Sequence, residues 1–170
     1  MRKRRPTPAN SHGVLARQCS RGFVRGLQAV VCCLIVLQAC QTPQWPVEAP
    51  MRSPFGVRGD EFLGRMHRGI DLAAEAGTPV RPVLSGRVRS AGTMRGYGRV
   101  IWIEHGRDAL SVYAHLSEIM VREGQEVTKA TVIGRIGQSG NATGPHLHFE
   151  FWRWGRAVDP LFVLGKPPQK

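Results

Sequence analysis

Between residues 51 and 164 the apolar residues come in short runs, interrupted by glycine or proline and often alternating with polar ones. No stretch repeats apolar positions every three to four residues, so the pattern predicts strands and turns and an all-β domain. Residues 86–91, 99–104 and 111–115 read as strands, the second apolar on both faces through Val100, Ile101, Trp102 and Ile103. In 111–115, alternation places Val112 and Ala114 on one face and Tyr113 with His115 on the other, with His115 closing the strand. Residues 126–128 and 131–134 form a predicted hairpin, and Pro79 and Pro82 confine 78–83 to an irregular edge strand. Residues 53–58 read as a short strand or ordered loop, and 59–66 and 138–144 as loops. Residues 96–98 and 123–125 read as turns, and 165–170 as a frayed tail.

The alternation is plainest at 144–152. Residues i and i+2 of a strand point to one face, so Leu147, Phe149 and Phe151 face a core, while His146, His148, Glu150 and Trp152 line the opposite side.

Upstream the pattern changes. Residues 1–39 hold seven Lys/Arg and no acid, and end in an apolar run from Leu27 to Leu37 in which only Gln28 is polar. That run is short of the roughly 20 residues of a membrane span and fits a signal-peptide core. Residues 40–50, with Pro43, Pro46 and Pro50, read as a short tether to which Trp45 adds an apolar contact.

Charge follows the same division. Of the formal +12, the leader carries +7, and residues 40–170 hold 17 basic and 12 acidic side chains, a net of 17 − 12 = +5. No basic run with interleaved aromatics follows residue 40, so the composition gives no nucleic-acid footprint. The four cysteines, Cys19, Cys32, Cys33 and Cys40, all precede the domain, which therefore has neither disulfide nor thiolate chemistry. Any metal there must rest on histidine and carboxylate. His67 and Asp71, four apart around Gly69, add an imidazole and a carboxylate to the pair at 146 and 148. Two histidines and one aspartate, with a position left for water, are the ligand count of a catalytic zinc site.

Four ordered blocks then carry a resemblance: His67-Arg68-Gly69-Ile70-Asp71-Leu72-Ala73-Ala74, Gly77-Thr78-Pro79-Val80, Tyr113-Ala114-His115-Leu116, and residues 140–150 around His146-Leu147-His148. Together they resemble the lysostaphin-type zinc metallopeptidases, also called LytM-domain proteins, over about residues 51–164. The resemblance implies a β-sandwich-like duplicated hybrid motif with the active-site groove across one sheet. It implies one Zn²⁺ per chain on His67, Asp71 and His148, with His115 and His146 as catalytic histidines. Glu150 and Trp152 are candidates for support of the metal ligands or for the substrate groove. The implied activity is hydrolysis of peptidoglycan cross-links, with stem peptides as partners. The absence of tyrosine between Phe55 and His67 favours a bond such as D-Ala–diaminopimelate over glycyl-glycine. The competing reading is a LytM-domain lipoprotein that activates a cell-wall amidase and so has a regulatory protein partner. Leu37-Gln38-Ala39-Cys40 resembles a lipoprotein cleavage signal, which implies lipidation at Cys40, a membrane anchor and, with Gln41 next, outer-membrane sorting on the periplasmic side. His105 resembles a common family position without a catalytic role, and a structural one is expected.

Overall fold

The computed structural model describes residues 42–58, 65–106 and 108–168, and the expected leader with Cys40 lies outside them. Twelve strands follow in order: β1 (Met51–Ser53), β2 (Gly56–Arg58), β3 (Arg65–His67), β4 (Ile70–Leu72), β5 (Pro79–Val80), β6 (Gly86–Met94), β7 (Gly98–Glu104), β8 (Ala109–Ile119), β9 (Glu126–Val127), β10 (Gly134–Ile136), β11 (Leu147–Arg153) and β12 (Arg156–Val158). A single turn of helix, α1 (Leu161–Leu164), follows. Ten strands form one sheet, whose main path runs β1-β4-β11-β8-β7-β6-β9, and β2 pairs with β3 separately. The all-β expectation holds. No helix among the described residues is long and apolar enough to cross a membrane.

The larger core lies on one side of this sheet, and a smaller cluster of Val100, Val112 and Ala114 lies on the other. Ile70, Leu72, Ile101, Ile103, Tyr113, Leu116, Leu147, Phe149 and Phe151 are all at most 1% exposed. Each large apolar side chain withdrawn from water in this way contributes about 1.5–3 kcal/mol. The predicted alternation of β11 is observed: Leu147, Phe149 and Phe151 enter the core, and His148, Glu150 and Trp152 face the other side. Gly69 explains why the His67–Asp71 segment can cross β11. A Cβ there would stand 2.1 Å from the Phe149 carbonyl oxygen, so no larger residue fits without displacing backbone.

Three expectations are corrected. The hairpin over 126–134 does not form: β9 pairs with β6, whereas β10 pairs with β5 and β8, so the two short strands leave their turn for different partners. Residues 42–50 are no free tether, because Val47 and Ala49 are buried in the core and Trp45 packs against it. Gln44 Nε2 donates to the carbonyls of Pro82 (2.9 Å) and Lys129 (2.7 Å), which sews this segment to two loops.

The third correction concerns β8, which does not end at His115. Register between β7 and β8 passes from Ile101↔Tyr113 to Arg99↔Leu116, two steps on one strand against three on the other. This β-bulge inserts one residue into β8, and His115 takes a φ of 63°. Tyr113 and Leu116 both face the core as a result, and His115 is turned to the opposite side with Ala114. The bulge also marks a change of partner: along one edge β8 pairs with β11 up to Ala114 and with β10 from Leu116. Simple alternation would have sent His115 into the core beside Tyr113.

One polar chain runs through that core. His105 Nδ1 donates to Ser85 O (3.0 Å), His105 Nε2 is hydrogen-bonded to Ser111 Oγ (2.7 Å), and Ser111 Oγ to Tyr113 OH (2.8 Å), which accepts Val83 N–H (2.9 Å). His105 thus takes the structural place expected of it, stacked on Phe151. Burial pushes its pKa below the ordinary 6.5, against the raising effect of the Ser85 carbonyl. Its neutral form therefore stabilises the fold above pH 6.5 or so, and that contribution is lost as the pH falls through the depressed folded value. In urea titrations, His105→Asn should lower stability at pH 7.5 and flatten its decline between about pH 6.5 and 5. An unchanged slope would refute this role.

Candidate metal centre

β4, β11 and β3 bring three side chains to one point. Pairing sets His148 opposite Asp71, and His67 stands at the end of β3. His67 Nε2 and Asp71 Oδ1 are 3.2 Å apart, His148 Nδ1 and Asp71 Oδ1 2.9 Å, and His67 Nε2 and His148 Nδ1 3.1 Å. Zinc bonds of about 2.0–2.1 Å in a tetrahedron require donor–donor edges of about 3.3 Å, so this triangle is close to the size that zinc needs. The outer nitrogens are committed as well. His67 Nδ1 donates to Pro54 O (2.6 Å) and His148 Nε2 to Glu150 Oε1 (3.1 Å), which directs the remaining ring nitrogen of each inward. These residues fit a zinc ion, and the triad is the group of His, Cys, Asp and Glu among the described residues able to hold a metal.

Electrostatics agree with the geometry. Burial alone would raise the Asp71 pKa, but hydrogen bonds and charge from His148 and His67 outweigh it and hold the carboxyl well below the usual range. Burial would lower His148, yet Asp71 and Glu150 carry it above its ordinary value. A divalent cation placed here would meet the Asp71 carboxylate and the inward nitrogens of the two rings.

Glu150, offered by the sequence as a supporting residue, is 1% exposed. Its Oε1 accepts from His148 and from Tyr97 OH (2.9 Å), and its Oε2 from Trp152 Nε1 (2.7 Å). Burial opposes ionisation, but the contacts with His148, Trp152 and Tyr97 keep the Glu150 pKa below its ordinary value. Trp152 therefore reaches the centre through Glu150; it packs among Val100, Val112, Ala114 and Trp102 and does not line the groove.

His115 and His146 face the same space. Their rings lie 4.8 Å apart, and His146 Nε2 is 3.9 Å from Asp71 Oδ1. His115 Nδ1 donates to Ser139 O and His146 Nδ1 to Gly144 O, each at 2.8 Å, so Nε2 of each ring is turned to the groove. Burial lowers the His115 pKa more than the Ser139 carbonyl raises it, and nearby His146 and His148 lower it further, so the ring is neutral at pH 7. A groove of about 790 Å³ joins these histidines with Met66, Arg68, Tyr97, Asn141 and Thr143.

Sequence reasoning missed two residues. Tyr97 was assigned only to a turn, yet its hydroxyl holds Glu150, and burial with Glu150 pushes its pKa up to about 12, so it stays a donor. Ser139 pins the bulge: its Oγ accepts Arg99 N–H (2.8 Å) and donates to Leu116 O (2.7 Å). Gly140 beside it has φ 72°, and a Cβ there would stand 2.3 Å from Gly98 N, so loop and turn meet backbone to backbone. Loop composition marks 138–144 as a turn region and carries no sign of which serine does this.

Residues 65–160 match the family described as Peptidase family M23, and the chain belongs to that family of zinc-dependent metallopeptidases. It is 42% identical over 119 residues to the DD-carboxypeptidase/endopeptidase Mpg of Neisseria meningitidis serogroup B, covering 69% of this chain and 27% of that protein. It is 38% identical over 124 residues to the murein hydrolase activator NlpD of Escherichia coli, covering 72% and 31%. The chain thus spans about a third or less of the length of these curated relatives. The catalytic domain of the antimicrobial peptidase lysostaphin from Staphylococcus simulans superposes with a TM-score of 0.63 at 31% identity, over 69% of this chain and 93% of that one. Relatives with this fold thus include both peptidases and activators.

Removing the Glu150 charge tests its support of the centre. Glu150→Gln should weaken zinc binding about 10–100-fold in chelator competition while the fold is retained. Unchanged affinity would show that His148 needs no such partner.

Proposed function

We propose that the chain is a zinc metalloendopeptidase that cuts peptide cross-links of bacterial peptidoglycan. One observation carries the reading: the metal triangle of His67, Asp71 and His148 opens on the same groove as Nε2 of His115 and His146. A structural metal site is closed by a fourth protein ligand, whereas a catalytic one keeps a position open. His67, Asp71 and His148 would hold a zinc ion, which would supply Lewis acidity towards a scissile carbonyl and a water.

The chain's own residues do the rest. His115, neutral and fixed by Ser139 O, is placed to take the water's proton at Nε2 and return it to the leaving amine. His146, fixed by Gly144 O, faces the same space from the Asp71 side, where it can orient water or substrate. Glu150 and Pro54 O hold the two ligand rings in one orientation. The similarity to Mpg supports peptide cross-links as the substrate, and the similarity to NlpD makes amidase activation the competing reading. We further propose a location in the cell envelope, with Cys40 as the lipidated residue that anchors the domain to the periplasmic side of the outer membrane.

Zinc-loaded protein acting on isolated sacculi should convert cross-linked muropeptide dimers to monomers, identified by mass. Zinc bound, fold intact and dimers untouched would favour the activator reading. His115→Ala should lower turnover by about 10²–10⁴-fold with its zinc retained. Asp71→Ala should instead lose the metal, as measured by zinc content after dialysis, and a full zinc complement in that variant would overturn the ligand set.

A further inference from the structure

Among the described residues, the exposed charged side chains around the groove are arginines. Two further hollows adjoin it. One, beyond the turn at Gly96, is lined by Arg95 and Arg99 and shares Gly96 with the groove. The other, lined by Arg52 and Ser53, shares Asp71, Thr143 and His146. Arg68 lines the groove as well, and its charge opposes the upward shift of the Tyr97 hydroxyl. Arg52, on the other side, stands with a guanidinium nitrogen 3.9 Å from where a Cβ on Gly144 would lie.

None of Arg52, Arg68, Arg95 and Arg99 has a carboxylate partner among the described residues, and all are exposed. Elsewhere Arg87 faces Glu126 (4.0 Å), Arg89 faces Glu104 (3.6 Å) and Arg135 faces Glu118 (3.4 Å), while Arg81, Arg122, Arg153 and Arg156 are likewise without a carboxylate partner among the described residues; what sets the four around the groove apart is their convergence on one centre. The carboxylates lining the three hollows are Asp71 and Glu150. Asp71 belongs to the metal triangle, and Glu150 is buried with three donors already on it. An incoming ligand therefore meets guanidinium groups on both sides of the centre, and no other carboxylate among the described residues lines these hollows. Guanidinium is suited to carboxylate, which it can grip through two parallel N–H bonds.

We propose that the groove selects peptides whose free carboxylates flank the bond to be cut, with Arg52 receiving one on the His146 side and Arg68, Arg95 and Arg99 receiving those beyond Tyr97. The inference rests on the peptidase reading and adds a substrate class to it. Amidation of those carboxyls removes the charge and one acceptor oxygen while leaving the scissile bond in place.

The test uses the zinc-loaded full chain and two cross-linked stem-peptide dimers, identical except that the side carboxyls are free in one and amidated in the other. The kcat/KM ratio should favour the free acid by about tenfold or more. It should shrink towards one at high salt, in Arg52→Gln, and in the double variant Arg95→Gln/Arg99→Gln. Calorimetric binding of the same pair of dimers to the zinc-loaded His115→Ala chain gives a second reading that needs no turnover. Equal cleavage and equal binding of the two dimers would overturn the inference and leave the peptidase standing. No cleavage of either dimer, with tighter binding of the free acid, would sink the peptidase reading and keep the charge selection.

Discussion

Two ring nitrogens and a carboxylate oxygen within 3.2 Å of one another repel unless something positive lies between them. The architecture around the site can be understood as the means of holding that arrangement. Asp71 and His148 are fixed by pairing of β4 with β11, and each strand is anchored from behind by fully buried Ile70, Leu72, Leu147 and Phe149. The rings are fixed from outside by acceptors, a backbone carbonyl for His67 and a buried carboxylate for His148. Core packing thus provides the force and hydrogen bonds provide the direction. Neither alone would keep three ligand atoms convergent.

Glu150 joins these two roles. A buried carboxylate with few partners would be costly, and here one oxygen takes two donors and the other takes one. Two of those donors, Tyr97 and Trp152, come from a side of the sheet that is otherwise packed with Val100, Val112, Ala114 and Trp102. Orientation at the metal centre therefore depends on aromatic side chains outside the metal triangle.

Much of this was legible in the chain. A period of two over 146–152 separated core residues from site residues, and the spacing of His67 and Asp71 supplied the remaining ligand types. The fold class followed from short apolar runs punctuated by glycine and proline. What escaped were features set by contacts distant in sequence. The segment 42–50 looks like a tether because its prolines are local, while its burial depends on loops at Pro82 and Lys129. Short strands β9 and β10 read as a hairpin because they are neighbours in sequence, yet each finds better partners elsewhere. Tyr97 and Ser139 sit in turns whose composition says only that the chain reverses there.

The bulge in β8 has a consequence for inheritance. Tyr113 and Leu116 reach the core, and His115 the groove, because one residue more stands on β8 than on its neighbour. The site is therefore encoded by a count as well as by side chains. Loss of the His115 codon would restore plain alternation, with Tyr113 and Leu116 still facing the core, and would remove the one residue that the bulge turns to the groove. The core could close over a strand one residue shorter, whereas the site could not.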